Sequence, residues 1–158
     1  MDVTIITVGK LKEKFFQDAV SEYLKRLSRF AKVKIIEIPD EKIPEYASEK
    51  QKAQILEREG KEILSYLKEG TYFVTLCVEG KTLSSEEFAA KISDAAMQCG
   101  KITFAIGSSM GLSPEVKSRS SLRLSFGRMT LPHQLMRVVL TEQIYRAFKI
   151  NANETYHK

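Results

Sequence analysis

Thr71-Tyr72-Phe73-Val74-Thr75-Leu76-Cys77-Val78 is an apolar run that stops at Glu79-Gly80-Lys81. Ser84 or Ser85 then opens a second pattern, with Ala89, Ile92, Ala96 and Met97 at helical spacing, and Gly100 closes it. Ile102-Thr103-Phe104-Ala105-Ile106 follows, apolar again. The stretch reads as strand, helix, strand. A chain built from such units packs as a parallel sheet with helices on both faces.

The same alternation continues outward from this unit. Upstream, Val3–Val8 is a short β-branched strand ended by Gly9. Residues 11–30 carry Phe16, Val20, Tyr23, Leu24 and Leu27 at three- and four-residue steps, which predicts a helix. Lys34–Ile38 is a second strand, stopped by Pro39, and Asp40–Ala47 is a loop. Ser48 is placed to cap a polar helix reaching about Leu67. Downstream, Gly107–Gly111 turns and Pro114 starts a short helix. Leu122–Phe126 is a fifth strand, and Pro132 suits the first turn of a last helix to about Ile150. The expectation is one α/β domain over residues 1–158, with no linker or repeat.

Ligands of open α/β sheets bind beyond the carboxyl ends of the strands. Three late loops leave that edge: Glu79–Leu83, Gly107–Leu112 and Gly127–Leu131. They are expected to converge. The glycine turn is neither a phosphate-binding Walker loop nor a dinucleotide fingerprint. His133 and Arg137 are four apart at a helix start, where an anion is favoured.

Hydrophobic residues make up 43% of the chain, enough for a core, and the formal charge of +5 permits an anionic partner. Lys25, Arg26, Arg29, Lys32 and Lys34 cluster near the end of the first helix, as a phosphate contact or as a solvated face. Cys77 and Cys99 make no disulfide framework, and with His133 and His157 as the only imidazoles no metal site is expected. No leader and no membrane span are read, so a cytoplasmic protein is expected. Apolar residues spread around most of the last helix, Ile144 among them, which favours a homodimer over cover by a neighbouring helix. Beyond that helix stand Tyr156-His157-Lys158, three proton-carrying groups where a chain end is ordinarily dull.

Longer stretches match a known pattern. Ile6-Thr7-Val8-Gly9-Lys10-Leu11-Lys12, Phe104-Ala105-Ile106-Gly107, Leu124 through Arg137, Glu142 through Ile150 and the Tyr156-His157-Lys158 ending resemble the ribosomal RNA large-subunit methyltransferase H family, a minimal group of SPOUT methyltransferases. The resemblance covers the full length. It implies a five- to six-stranded, mostly parallel sheet with a C-terminal trefoil knot, a homodimer, and S-adenosyl-L-methionine as cofactor. The implied reaction is methylation of N3 of a pseudouridine in helix 69 of 23S ribosomal RNA, within assembled ribosomes. Carried over by position, the cofactor contacts are Leu76, Gly107, Phe126, Gly127, Arg128, Met129, Thr130 and Leu131. Tyr156, His157 and Arg137 are the expected catalytic group, with His157 the candidate base. His133, Arg26, Arg29 and Lys158 are expected at the RNA. One departure concerns the turn, where the family commonly has a second glycine and this chain has Ser108; a positive φ there would strain it. An inert RNA-binding module of the same fold and a methyltransferase acting on transfer RNA stay open as alternatives.

Overall fold

The computed structural model describes residues 1–158. Its elements are β1 (Asp2–Val8), α1 (Lys14–Leu27), β2 (Lys32–Ile38), α2 (Glu49–Ser65), β3 (Tyr72–Thr82), α3 (Ser85–Gln98), β4 (Lys101–Ile106), α4 (Pro114–Ser118), β5 (Leu122–Ser125) and α5 (His133–Asn151). The five strands form one sheet in the order β2-β1-β4-β3-β5. Every neighbouring pair is parallel.

Successive side chains of a strand point to opposite faces, and here both sets are apolar. Val3, Ile5, Val74, Ile102, Phe104 and Leu124 pack with Leu27 of α1, Phe88, Ile92 and Ala95 of α3, and Leu140, Ile144 and Ala147 of α5. The alternate residues Ile6, Val8, Ile38, Phe73 and Ala105 pack with Ile63 of α2, with Leu112 just before α4 and with Val116 of α4. Helices therefore cover both faces, as the continuous apolar runs require.

Local chemistry sets the boundaries. Ser48 and Ser84 each form a capping box, with Gln51 and Glu87 as the reciprocal partners. Ser113 caps α4, and Pro114 stands in its first turn. Pro132 instead occupies the N-cap position of α5, one residue before the turn expected to hold it. In α3 the buried stripe is Phe88, Ala89, Ile92 and Ala95, whereas Met97 is 77% exposed.

Two expectations need larger correction. The third strand does not stop at Glu79-Gly80-Lys81. Leu76 and Lys81 both pair with Leu124, so Cys77–Gly80 stand out of the ladder and pairing resumes beyond them. Gly80 makes this possible: a Cβ there would lie 2.7 Å from the Arg123 carbonyl oxygen. The second correction concerns the last helix. α5 packs against both α1 and α3, and Ile144 is fully buried within the single chain. The apolar breadth of α5 is thus met largely by its own neighbours and does not by itself require a second copy. No helix is long and apolar enough to cross a membrane.

Candidate active site

The carboxyl ends of β3, β4 and β5 and the start of α5 enclose a cavity of about 620 Å³. That volume lies within the range of small-molecule sites. Of the positions expected at a cofactor, Leu76, Gly107, Phe126, Gly127, Met129, Thr130 and Leu131 line it, and so does His133. Arg128 does not; its side chain is exposed to solvent.

Two glycine turns shape the wall. A Cβ on Gly107 would lie 2.2 Å from the Gly111 carbonyl oxygen, so only glycine lets this turn close. The Gly111 N–H donates to the Ser108 carbonyl at 2.9 Å. Ser108 does not have a positive φ, so the strain expected of a serine there is absent. In the second turn Gly127 adopts φ +121°, and its N–H donates to Ser125 Oγ at 3.2 Å.

Sequence reasoning missed the opposite wall. Cys77, Val78 and Glu79, from the excursion of β3, line the cavity together with Lys117 of α4. Glu79 and Lys117 form an ion pair. The hydrogen bond from Lys117 holds the Glu79 carboxyl below its ordinary range. The only early signal was that Glu79 begins a loop on the converging edge. No group of three or more His, Cys, Asp or Glu side chains suits a metal ion.

Arg137 is not at the cavity. It is 2% exposed, donates to Glu37 Oε2 at 2.7 Å and to the Gly9 carbonyl at 3.0 Å, and so ties α5 to the ends of β1 and β2. The expected catalytic role for Arg137 does not fit that position. Its spacing from His133 was right, but the helix rotates this face inward. The basic cluster is also partly engaged. Arg26 bonds Glu22 at 2.9 Å and lies over the rings of Tyr23 and Tyr145, and Arg29 pairs with Glu154 at 2.6 Å.

The last residues lie along α5 and the start of α3, and none of them lines the cavity. Tyr156 donates to Glu142 Oε1 at 3.2 Å, beneath the Arg146 guanidinium. His157 Nε2 is 2.7 Å from Glu86 Oε1, and Arg146 Nη1 is 3.3 Å from His157 Nδ1. A guanidinium only donates, so Nδ1 is the acceptor and Nε2 carries the proton given to Glu86. Both ring nitrogens of His157 are thus partnered within its own subunit, away from the cavity. A hollow of about 270 Å³, bordered by Ser85 and Gln143, shares the Leu124–Gly127 wall with the cavity.

Burial, with the Glu142 charge added, pushes the Tyr156 phenol up to about 12. Tyr156 is therefore a neutral hydrogen-bond donor near neutrality and not a base. The folded chain keeps this proton while the unfolded chain loses it, so the associated stability is lost as pH rises from about 10 to about 12. Absorbance titration of the tyrosines should show an ionisation at about 12 that Tyr156→Phe removes.

The chain matches the family model described as "Predicted SPOUT methyltransferase" over residues 1–157, and it belongs to that family. Within it, the chain is 54% identical over 159 residues, covering all of both chains, to ribosomal RNA large subunit methyltransferase H of Bifidobacterium animalis subsp. lactis. Proteins of the same name from Listeria monocytogenes and Bacillus thuringiensis are 53% identical, again over the full length of both. A solved structure of a probable methylase family protein from Haemophilus influenzae Rd KW20 is similar in fold, with TM-score 0.57 at 12% identity. It matches 99% of this chain and 70% of that one.

Proposed function

We propose that this chain is an S-adenosyl-L-methionine-dependent methyltransferase of large-subunit ribosomal RNA, acting on N3 of a pseudouridine in helix 69 of the 23S molecule. The observation that carries the reading is the full-length identity of 53–54% to proteins named ribosomal RNA large subunit methyltransferase H. The cavity supports it. Half of its lining residues are hydrophobic, which suits an adenosyl group, and two glycine turns allow close approach to backbone. Leu76, Gly107 and the loop residues Phe126, Gly127, Met129, Thr130 and Leu131 would hold the cofactor, with Arg128 at the exposed rim.

When bound, the cofactor supplies an already activated methyl group, so the protein needs neither nucleophile nor metal. Its task is to align the base and manage one proton. His133, at the start of α5, faces the cavity where the helix N-terminus favours an anionic group. The terminal Tyr156, His157 and Lys158 stand apart from the cavity of their own subunit. A homodimer closes that gap: one subunit holds the cofactor, and the other brings its last residues and the basic face of Arg26 and Arg29 to the RNA. The trefoil threading belongs to the same reading. It rests on the family match over residues 1–157. One domain over residues 1–158 then performs the reaction in the cytoplasm, where ribosomes are.

Ribosomes lacking the modification and free 23S RNA should be methylated in parallel, with the product nucleotide mapped by mass. Methyl transfer to the pseudouridine on ribosomes and little on free RNA is expected. Transfer to another nucleotide, or cofactor binding without transfer, would replace the reading by one of its alternatives. Removing residues 156–158 takes away no side chain of either core. The shortened protein should fold and bind the cofactor, as calorimetry would show, while ribosome methylation slows at least about a hundredfold. Wild-type turnover by the shortened chain would remove these residues from the chemistry.

A further inference from the structure

The turn after β4 contains a side chain that reaches the helix on the far face of the sheet. Ser108, which lines the cavity, donates from Oγ to Glu59 Oε1 of α2 at 3.0 Å. The same oxygen accepts from the Met110 N–H at 3.4 Å. The hydroxyl has one proton to give, and it is committed to Glu59. Ser108 thus joins the turn's own backbone to a carboxylate forty-nine residues earlier in the chain.

Glu59 is an unusual occupant of its place. It is 5% exposed, on a helix whose other buried residues are Ile55, Gly60 and Ile63. Oε2 has no hydrogen-bond partner. The charges of Asp40 and Glu41 act on it in the same direction as burial, and Glu41 is taken by Arg58. Burial pushes the Glu59 carboxyl up, and the bond from Ser108 opposes that shift. A buried polar group without partners is costly, so a position like this is unsuited to simple stabilisation.

The backbone beside it is arranged to bring Glu59 close. A Cβ on Gly60 would lie 2.3 Å from Ser113 Oγ. Glycine at that position lets α2 approach the N-cap of α4, and Glu59 arrives at Ser108 with it. Ser113 in turn caps the short helix that carries Lys117 to the cavity.

We propose that Glu59 is a positioning residue for the S-adenosylmethionine site: through the Ser108 hydroxyl it holds the Gly107–Gly111 turn in the shape that accepts the cofactor. This rests on the reading of the cavity as that cofactor's site. The test is calorimetry with S-adenosylmethionine, with thermal unfolding measured alongside. Absence of binding by the wild type would overturn the cofactor reading itself. Given wild-type binding, Ser108→Ala and Glu59→Ala should each weaken affinity at least about tenfold. Glu59→Gln, whose amide oxygen still accepts from Ser108, should weaken it less than Glu59→Ala. The double variant Glu59→Ala with Ser108→Ala should be no weaker than the poorer single one, because both remove the same connection. Unchanged affinity in Ser108→Ala with a lowered melting temperature would make the contact structural only and overturn the proposal. Losses that multiply in the double variant would overturn it as well. If Glu59→Ala does not fold, Ser108→Ala and Glu59→Gln decide alone: unchanged affinity in the first, or a loss in the second as large as that in the first, refutes it.

Discussion

Replacing Ile144 with Glu is expected to unfold the subunit. Ile144 is fully buried among Leu140, Ala147 and the α3 residues of the larger core. A carboxylate there has no cation within that cluster, and even its neutral form leaves polar oxygens without partners. Lost apolar burial adds to that penalty. The combined cost is about 5 kcal/mol or more, against a total stability of about 5–15 kcal/mol for an ordinary domain. Circular dichroism and urea titration should find most of the variant unfolded at room temperature. A folded monomer with native thermal stability would instead mean that Ile144 faces a second subunit. Val139→Glu is the contrasting substitution, because Val139 is only half-buried and belongs to neither core. It should leave the subunit folded.

That contrast shows where the sequence was legible. Helix and strand alternation could be read because each strand presents apolar residues on both faces, and because Ser48 and Ser84 begin helices with a partner three residues on. The convergence of the late loops followed from parallel strands sharing one carboxyl edge. The breadth of apolar residues on α5 was visible too, but it does not say what covers them. α1 and α3 do so here, and only tertiary packing distinguishes them from another copy. Glu79-Gly80-Lys81 read as the end of the strand, since glycine signals a turn and a close strand approach alike. The placement of Tyr156 and His157 depended on Glu142 and Glu86. Glu86 is seventy-one residues from His157, and no local spacing links them. The terminal residues could be recognised as chemically capable, but their separation from the cavity could not.

Arg137 shows the same limit with a larger energetic consequence. Its partner Glu37 is one hundred residues away, on β2. On the surface of a helix start, an arginine four residues from a histidine reads as an anion contact. Buried, it has to satisfy several donors within the protein, and it does so with a carboxylate and the Gly9 carbonyl, leaving Nε unpartnered. Glu37 also accepts from the Leu11 N–H at 3.3 Å. One guanidinium thus fixes the chain leaving β1, the end of β2 and the second turn of α5. The first turn of α5 supplies His133 and Met136 to the cavity, so the shape of the proposed cofactor site depends on this tie. Arg137→Ala removes a buried partner and leaves the Gly9 carbonyl unsatisfied, which should cost about 3–5 kcal/mol. Arg137→Lys should recover only part of it, because a single ammonium cannot reproduce the planar fork. Urea unfolding of both variants should show midpoints ordered wild type, Lys, Ala, with cofactor affinity falling in the same order. A variant with wild-type stability but lost methyl transfer would instead place Arg137 in the chemistry, as its residue type alone had suggested.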